Sequence, residues 1–238
     1  MEIKYVHLEE EHNKRAASIV LPQVLKFLNP VSIVDVGCGI GTWLAVAKDL
    51  GINDLLGIDG NYVDRSLLLK FLENDKFLSK DLNQSFVLDR NFNLCICLEV
   101  AEHLPESSAH HLINSLAGLS PVILFSAAVP NQGGQNHLNE QWPEYWAEKF
   151  SKHEYVFLDI IRPLIWNNPK VEFWYRQNIF LVVKSNHELA KKYAHSHLSF
   201  VHPELFLSKI TQYEKRISSL QSQLAVHPLK RWIKSLIS

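Results

Sequence analysis

Short apolar runs recur through the first three quarters of the chain, each closing on a turn or on an acidic residue. Ser32 to Val36, Leu55 to Ile58, Phe77 to Lys80, Asn93 to Leu98 and Pro121 to Ser126 read as five strands. They have few polar interruptions, as expected of strands buried on both faces. Between them the apolar positions switch to helical spacing, over Thr42 to Leu50, Val63 to Leu72 and Ser108 to Leu119. An opening helix is expected over His7 to Phe27, with Ala16, Ile19, Val20, Val24 and Leu25 largely on one face and Asn29-Pro30 as its stop. Beyond the fifth strand come a polar, glycine-bearing loop and an aromatic-rich helix near Trp142. Then follow a strand over Tyr155 to Ile161, a linker over Arg162 to Lys170, and a longer strand region over Val171 to Val183 with a bulge near Arg176-Gln-Asn178. The alternation predicts an α/β fold, doubly wound about a mostly parallel sheet.

From Ser185 the pattern changes. His187, His195, His197 and His202 crowd a polar stretch, read as a solvated linker because no carboxylate framework accompanies them. Phe206 to Leu224 then shows apolar residues at helical spacing, a docking helix or short coiled coil, and Leu229 to Ile237 alternates basic and apolar residues. The expected division is therefore residues 1–184 as the main domain and 185–238 as a C-terminal helical extension. The helix is a candidate surface for self-association or a partner.

Composition narrows the function classes. The 238 residues are 47% hydrophobic with a formal net charge of −1, so bulk charge does not suggest a nucleic-acid binder. No apolar run approaches the roughly 20 residues of a membrane span, and Met1-Glu-Ile-Lys-Tyr lacks the core of a signal peptide. A cytoplasmic location is the expectation. Cys38, Cys95 and Cys97 fall on or beside inner strands, without the spacing of a zinc site.

The chemistry concentrates at the strand ends. Ser32-Ile-Val-Asp-Val-Gly-Cys-Gly-Ile-Gly-Thr-Trp43 is a strand entering a glycine turn, where Gly37, Gly39 and Gly41 let a ligand approach the backbone. The third glycine comes one residue earlier than in the dinucleotide fingerprint, which disfavours a nicotinamide enzyme. Asp59 stands eighteen residues past Gly41, about where an acidic residue can accept ribose hydroxyls. Asp81 and Glu99 end the next two strands, making one acid-lined edge.

Val34-Asp-Val-Gly-Cys-Gly-Ile-Gly41, Gly57-Ile-Asp59, Lys80-Asp-Leu82 and Cys97-Leu-Glu-Val-Ala-Glu-His103 resemble, in order, the motifs of class I S-adenosylmethionine-dependent methyltransferases. The resemblance covers roughly residues 30–130. It implies a seven-stranded sheet of order 3-2-1-4-5-7-6 with an antiparallel final hairpin. It also implies a cofactor, S-adenosyl-L-methionine, held by Asp35, Gly37, Cys38, Gly39, Asp59, Gly60, Asp81, Leu82, Leu98 and Glu99. Within that set Gly37 and Gly39 would face the methionine part, Asp59 the ribose, and Asp81 with Leu82 the adenine. Acidic groups such as Asp35 suit a ligand carrying sulfonium and ammonium charges.

Two mechanisms follow. His137, with Glu140 nearby, is the candidate base for an oxygen nucleophile, because imidazole titrates near neutral pH and the loop after the fifth strand lies where an acceptor would rest. Glu99-x-x-Glu102-His103 is alternatively a ligand set for Mg²⁺ or Mn²⁺, and resembles the metal site of small-RNA 2′-O-methyltransferases and ubiquinone-pathway O-methyltransferases. In the RNA enzymes a later histidine completes the set, a place His137 can take; the same string occurs in metal-free relatives. Gln132, Asn136, Asn139, Glu140, Gln141, Trp142, Tyr145 and Trp146 suit a polyhydroxylated acceptor, with Trp146 also readable as core. His137-x-Asn-Glu-Gln-Trp142 and Trp174-Tyr-Arg-Gln-Asn178 resemble a group of bacterial glycan-associated methyltransferases.

The leading expectation is O-methylation of a sugar or other small hydroxylated acceptor. RNA-end 2′-O-methylation is the first rival, opposed by the lack of a basic stripe. A non-catalytic assembly module is the second, opposed by the intact cofactor motifs.

Overall fold

The computed structural model describes residues 13–193 and 198–226. The residues fall into two compact units divided after Phe200.

In the first unit, strands β1 (Ser32–Val36), β2 (Asp54–Asp59), β3 (Phe77–Ser79), β4 (Leu94–Leu98), β5 (Val122–Ser126), β6 (Tyr155–Leu158) and β7 (Phe180–Lys184) form one sheet of order 3-2-1-4-5-7-6. The first five run parallel, while β7 pairs antiparallel with both β5 and β6. The doubly wound, seven-stranded order expected from the motifs is the order found.

Helices α1 (Arg15–Val24), α2 (Thr42–Asp49), α3 (Arg65–Leu68), α4 (Ala109–Leu119), α5 (Pro143–Ser151), α6 (Arg162–Ile165), α7 (Phe173–Asn178) and α8 (Glu188–Lys192) cover the sheet. The strands alternate between two cores, as a period of two requires. Ile33, Leu94, Ile96, Leu124 and Leu181 share a core with Val20, Leu21 and Val24 of α1 and with Leu44 and Ala47 of α2. Val34, Val36, Cys95, Cys97 and Phe125 share the other with Leu112, Ile113 and Leu116 of α4 and with Trp146 and Phe150 of α5.

Three expectations change. Residues 173–178, expected as part of a long strand, form α7 and only 180–184 join the sheet. The expected linker begins as α6, where buried Arg162 bonds Asp159 twice (2.8 and 2.7 Å) and donates to the carbonyls of Gln177 (3.0 Å) and Leu198 (2.8 Å). The first unit also extends past residue 184, since Leu189, Ala190, Tyr193 and Leu198 pack on its cores.

The second unit holds α9 (Pro203–Val226). The backbone N–H of Glu204 donates to His202 Nδ1, and that of Leu189 to His187 Nδ1, so two of the four clustered histidines serve helix starts. His195, His197, residues 7–12 of the expected first helix and the Leu229 to Ile237 segment lie outside the described residues. No helix among the described residues is long and apolar enough to cross a membrane.

Candidate active site

Strand order reverses between β1 and β4, and a parallel sheet opens a crevice at the carboxyl ends of its strands at such a point. A cleft of about 1880 Å³ lies there. That exceeds the roughly 300–1,000 Å³ of a single drug-sized ligand and leaves room for a nucleoside cofactor with an acceptor.

The glycine turn after β1 forms one wall. Gly37, Gly39 and Gly41 have φ of 79°, 52° and 86°, the left-handed region where glycine pays no Cβ penalty. At Gly37 a Cβ would also overlap the side chain of Val100.

Asp59, 2% exposed at the end of β2, accepts from the Gly39 N–H through Oδ2 (2.7 Å), and from the Gly60 N–H and the Tyr62 hydroxyl through Oδ1 (both 2.6 Å). Burial raises its pKa against the opposing pull of those bonds. Asp35, on the central strand, is buried at the cleft floor without a hydrogen-bond partner among the described residues. Its pKa lies well above the ordinary carboxylate range, first through burial and then through the charge of Asp59. A buried carboxylate facing a cleft with no donor of its own is a place for a ligand cation.

Asp81 lies two residues beyond β3, exposed, with Oδ1 accepting from the backbone N–H of Asn83 (2.9 Å) and its Nδ2 (3.0 Å). It and the buried Leu82 line the same cleft, as do Cys38, Gly60 and Leu98.

The ends of β4 and β5 build the opposite side. Glu99 adopts φ of 53°, and its N–H donates to the carbonyl (3.1 Å) and Oγ (3.0 Å) of Ser126. Asn178 donates to its Oε1 (3.1 Å) and Gln132 to its Oε2 (3.1 Å), while Asn178 also bonds Gln132 Oε1 (2.9 Å). Glu102 is fully buried; Oε1 accepts from the Ala128 N–H (3.2 Å), and Oε2 has no hydrogen-bond partner among the described residues. Burial, then the neighbouring Glu99, pushes its pKa well up, and burial raises that of Glu99 as well.

The loop after β5 closes over this group. Its Leu138 and Asn139 N–H groups donate to the Glu102 carbonyl (2.8 and 3.0 Å). This tie brings His137 against His103, ring centroids 4.8 Å apart. His137 Nδ1 lies 2.8 Å from Glu140 Oε1, which also accepts from the Gly133 N–H (2.6 Å). A Cβ at Gly134 would overlap the His137 ring, so this glycine makes space for the imidazole. Donor atoms of Glu102, His103 and His137 lie within 4.8 Å of one another, a geometry that can hold a metal ion. Glu99, expected as a ligand, is not in that group; its oxygens face Asn178 and Gln132.

Of the expected acceptor contacts, Gln132 and Asn136 line the cleft. Asn139, Glu140, Gln141, Trp142, Tyr145 and Trp146 do not; Trp146 is buried against Phe125 (5.7 Å). The aromatic wall comes instead from Trp43, Phe173, Trp174 and Tyr175, with Trp43 edge-on to Tyr175 at 5.4 Å. The Trp174 to Asn178 string stands out in the sequence, but Trp43 and Tyr62 carry no signal beyond their nearness to the glycine turn and Asp59.

A family described as a methyltransferase domain matches residues 8–161, well over half of the chain. The chain belongs to this methyltransferase family. It is a class I S-adenosylmethionine-dependent enzyme. Among solved structures, the methyltransferase is similar to an S-adenosylmethionine-bound amino pentose methyltransferase, CalS10, from Micromonospora echinaspora, involved in calicheamicin biosynthesis. The TM-score is 0.56 at 13% identity, covering 77% of this chain and 99% of that one. It is also similar to a chain of the Haloferax volcanii complex between the Trm112 methyltransferase activator and the putative methyltransferase (TM-score 0.54, 17% identity, 75% and 94% covered). A third is magnesium protoporphyrin IX methyltransferase from Synechocystis PCC 6803 with bound S-adenosylhomocysteine (TM-score 0.51, 17% identity, 76% and 89% covered). At these identities the likeness shows the fold. No curated protein matches the sequence.

Proposed function

We propose that this methyltransferase methylates a hydroxyl of a sugar or another small, uncharged hydroxylated acceptor, with His137 as general base. The observation that carries the reading is the His137–Glu140 hydrogen bond in a loop pinned over the cleft. S-adenosylmethionine supplies the electrophilic methyl group. In this reading Asp35 faces its ammonium or sulfonium charge, Gly37, Cys38 and Gly39 its methionine part, Asp59 and Gly60 its ribose, and Asp81 with Leu82 and Leu98 its adenine end. In this role the Nδ1–H of His137 donates a hydrogen bond to Glu140, which orients the ring and leaves Nε2 to take the acceptor's hydroxyl proton.

An uncharged acceptor is supported by the cleft lining, in which Lys80 is the single Lys or Arg among the described residues. Phosphate recognition ordinarily draws on clustered cations, so RNA ends are disfavoured. Trp43 and Trp174 offer faces for the apolar side of a ring. The amino pentose substrate class of one structural neighbour agrees with this reading.

A second reading has a divalent ion on Glu102, His103 and His137, favoured by the buried Glu102 Oε2 that lacks a donor among the described residues. In that case the Glu140 bond steadies a ligand imidazole.

The test is methyl transfer from S-adenosylmethionine to a panel of neutral glycosides, followed by mass spectrometry. His137→Ala should lower kcat by about 10²- to 10⁴-fold while S-adenosylhomocysteine affinity stays within about twofold. Unchanged turnover removes the base assignment. Loss of activity in chelator, restored by Mn²⁺, moves His137 to the metal reading.

A further inference from the structure

The second unit carries a surface that methyl transfer does not use. On α9, Phe206, Ile210, Tyr213, Ile217 and Leu220 step alternately by four and three residues, and each is between 41% and 58% exposed. A strict alternation of three and four is a narrow seam along one side of a helix, the spacing of a coiled coil rather than the wider stripe of a helix lying on a globular core. The sequence carries the same step on to Leu224.

From this seam we infer that α9 pairs with α9 of a second copy of the chain as a parallel, two-stranded coiled coil. Written as heptads, Ile210 and Ile217 occupy position a, and Phe206, Tyr213 and Leu220 position d. Isoleucine at a with leucine at d favours two parallel strands, the pairing that Ile217 and Leu220 supply, while Phe206 and Tyr213 fill the other d positions with aromatic rings. The flanking charges choose the occupant and the direction. Lys209 and Arg216 fall at g, Glu214 and Gln221 at e. In a parallel, in-register pair each g residue faces the e residue five positions on in the other copy. Lys209 then meets Glu214 and Arg216 meets Gln221, each twice by symmetry. An antiparallel pair would set the g cations against one another. Neither Glu214 nor Arg216 forms an ion pair with any described residue, so both are free for this contact.

Sedimentation of the full-length protein tests the inference and does not depend on which acceptor is methylated. The chain should pass from monomer to dimer over micromolar concentrations, and Ile210→Asp with Ile217→Asp should leave it monomeric with unchanged S-adenosylhomocysteine binding. Lys209→Glu or Glu214→Lys alone should weaken dimerisation about tenfold, and the two together should restore it. Tyr213→Cys and Leu220→Cys, made separately, should each give a disulfide-linked dimer on mild oxidation, because identical d positions meet only in a parallel pair. A protein that stays monomeric at 100 μM overturns the proposal. So does a dimer that survives the double aspartate change, a charge swap that fails to restore pairing, or cross-linking at no more than one of the two cysteine positions.

Discussion

Asp35 shows how a single residue can be costly to the fold and useful to the site. It is a carboxyl group on the central strand, buried beside Asp59 and without a donor among the described residues, and its pKa is raised first by burial and then by that neighbour. Replacing it with asparagine removes the charge while keeping the shape. The apo protein should gain about 1 kcal/mol, which for a chain of this size is roughly 2–4 °C in Tm. The ammonium that S-adenosylhomocysteine shares with the cofactor would lose its counter-charge, and affinity for S-adenosylhomocysteine should fall at least about tenfold. The two effects run in opposite directions, and thermal melting with a ligand titration reads both. A purely structural Asp35 would lower stability and affinity together, and that result would remove it from the cofactor site.

At the scale of elements, the turn from β1 to α2 depends on two separate requirements that one comparison can resolve. Gly37 and Gly51 both have positive φ, 79° and 93°, but a Cβ at Gly37 overlaps Val100 while at Gly51 it meets open space. Gly51→Ala should therefore cost only the backbone strain, about 1–2 kcal/mol, with ligand affinity intact. Gly37→Ala should cost more and also displace Val100 and the turn, so that ligand affinity drops more than about tenfold in isothermal titration. The strands were readable because a buried parallel sheet leaves an apolar run that ends where the chain turns toward the cleft. Acidic residues at those ends were readable for the same reason. α7 was not: Val171 to Val183 is dense in apolar and aromatic residues, and a short run of that kind does not distinguish strand from buried helix. What settles it is tertiary, since Arg162 holds the Gln177 carbonyl and Asn178 turns its amide to Glu99. In the sequence Trp142 and Tyr145 follow the polar loop after the fifth strand, and their aromatic faces suit a polyhydroxylated acceptor. Their helix instead turns Trp146 and its own Phe150 onto Phe125 of β5, which no local spacing records.

Across the whole molecule the site gathers four carboxyls, Asp35, Asp59, Glu99 and Glu102, each with its pKa raised by burial as the largest cause. In the unfolded chain they titrate near the usual value of about 4. Between that value and their raised native values the folded protein binds more protons than the unfolded one, so unfolding releases protons and rising pH favours it. Apo stability should therefore fall as pH rises from about 5 toward neutrality, a range in which ordinary surface carboxylates are already ionised in both states. A ligand ammonium set against Asp35 reverses the preference there by favouring the ionised form, so the stabilisation given by S-adenosylhomocysteine, which keeps that ammonium, should grow over the same interval. Thermal melts from pH 5 to 8, with and without the ligand, read the two slopes separately. An apo Tm that rises steadily across that range would mean that these carboxyls are already ionised in the fold. A ligand shift independent of pH would mean that none of them answers the ligand's charge.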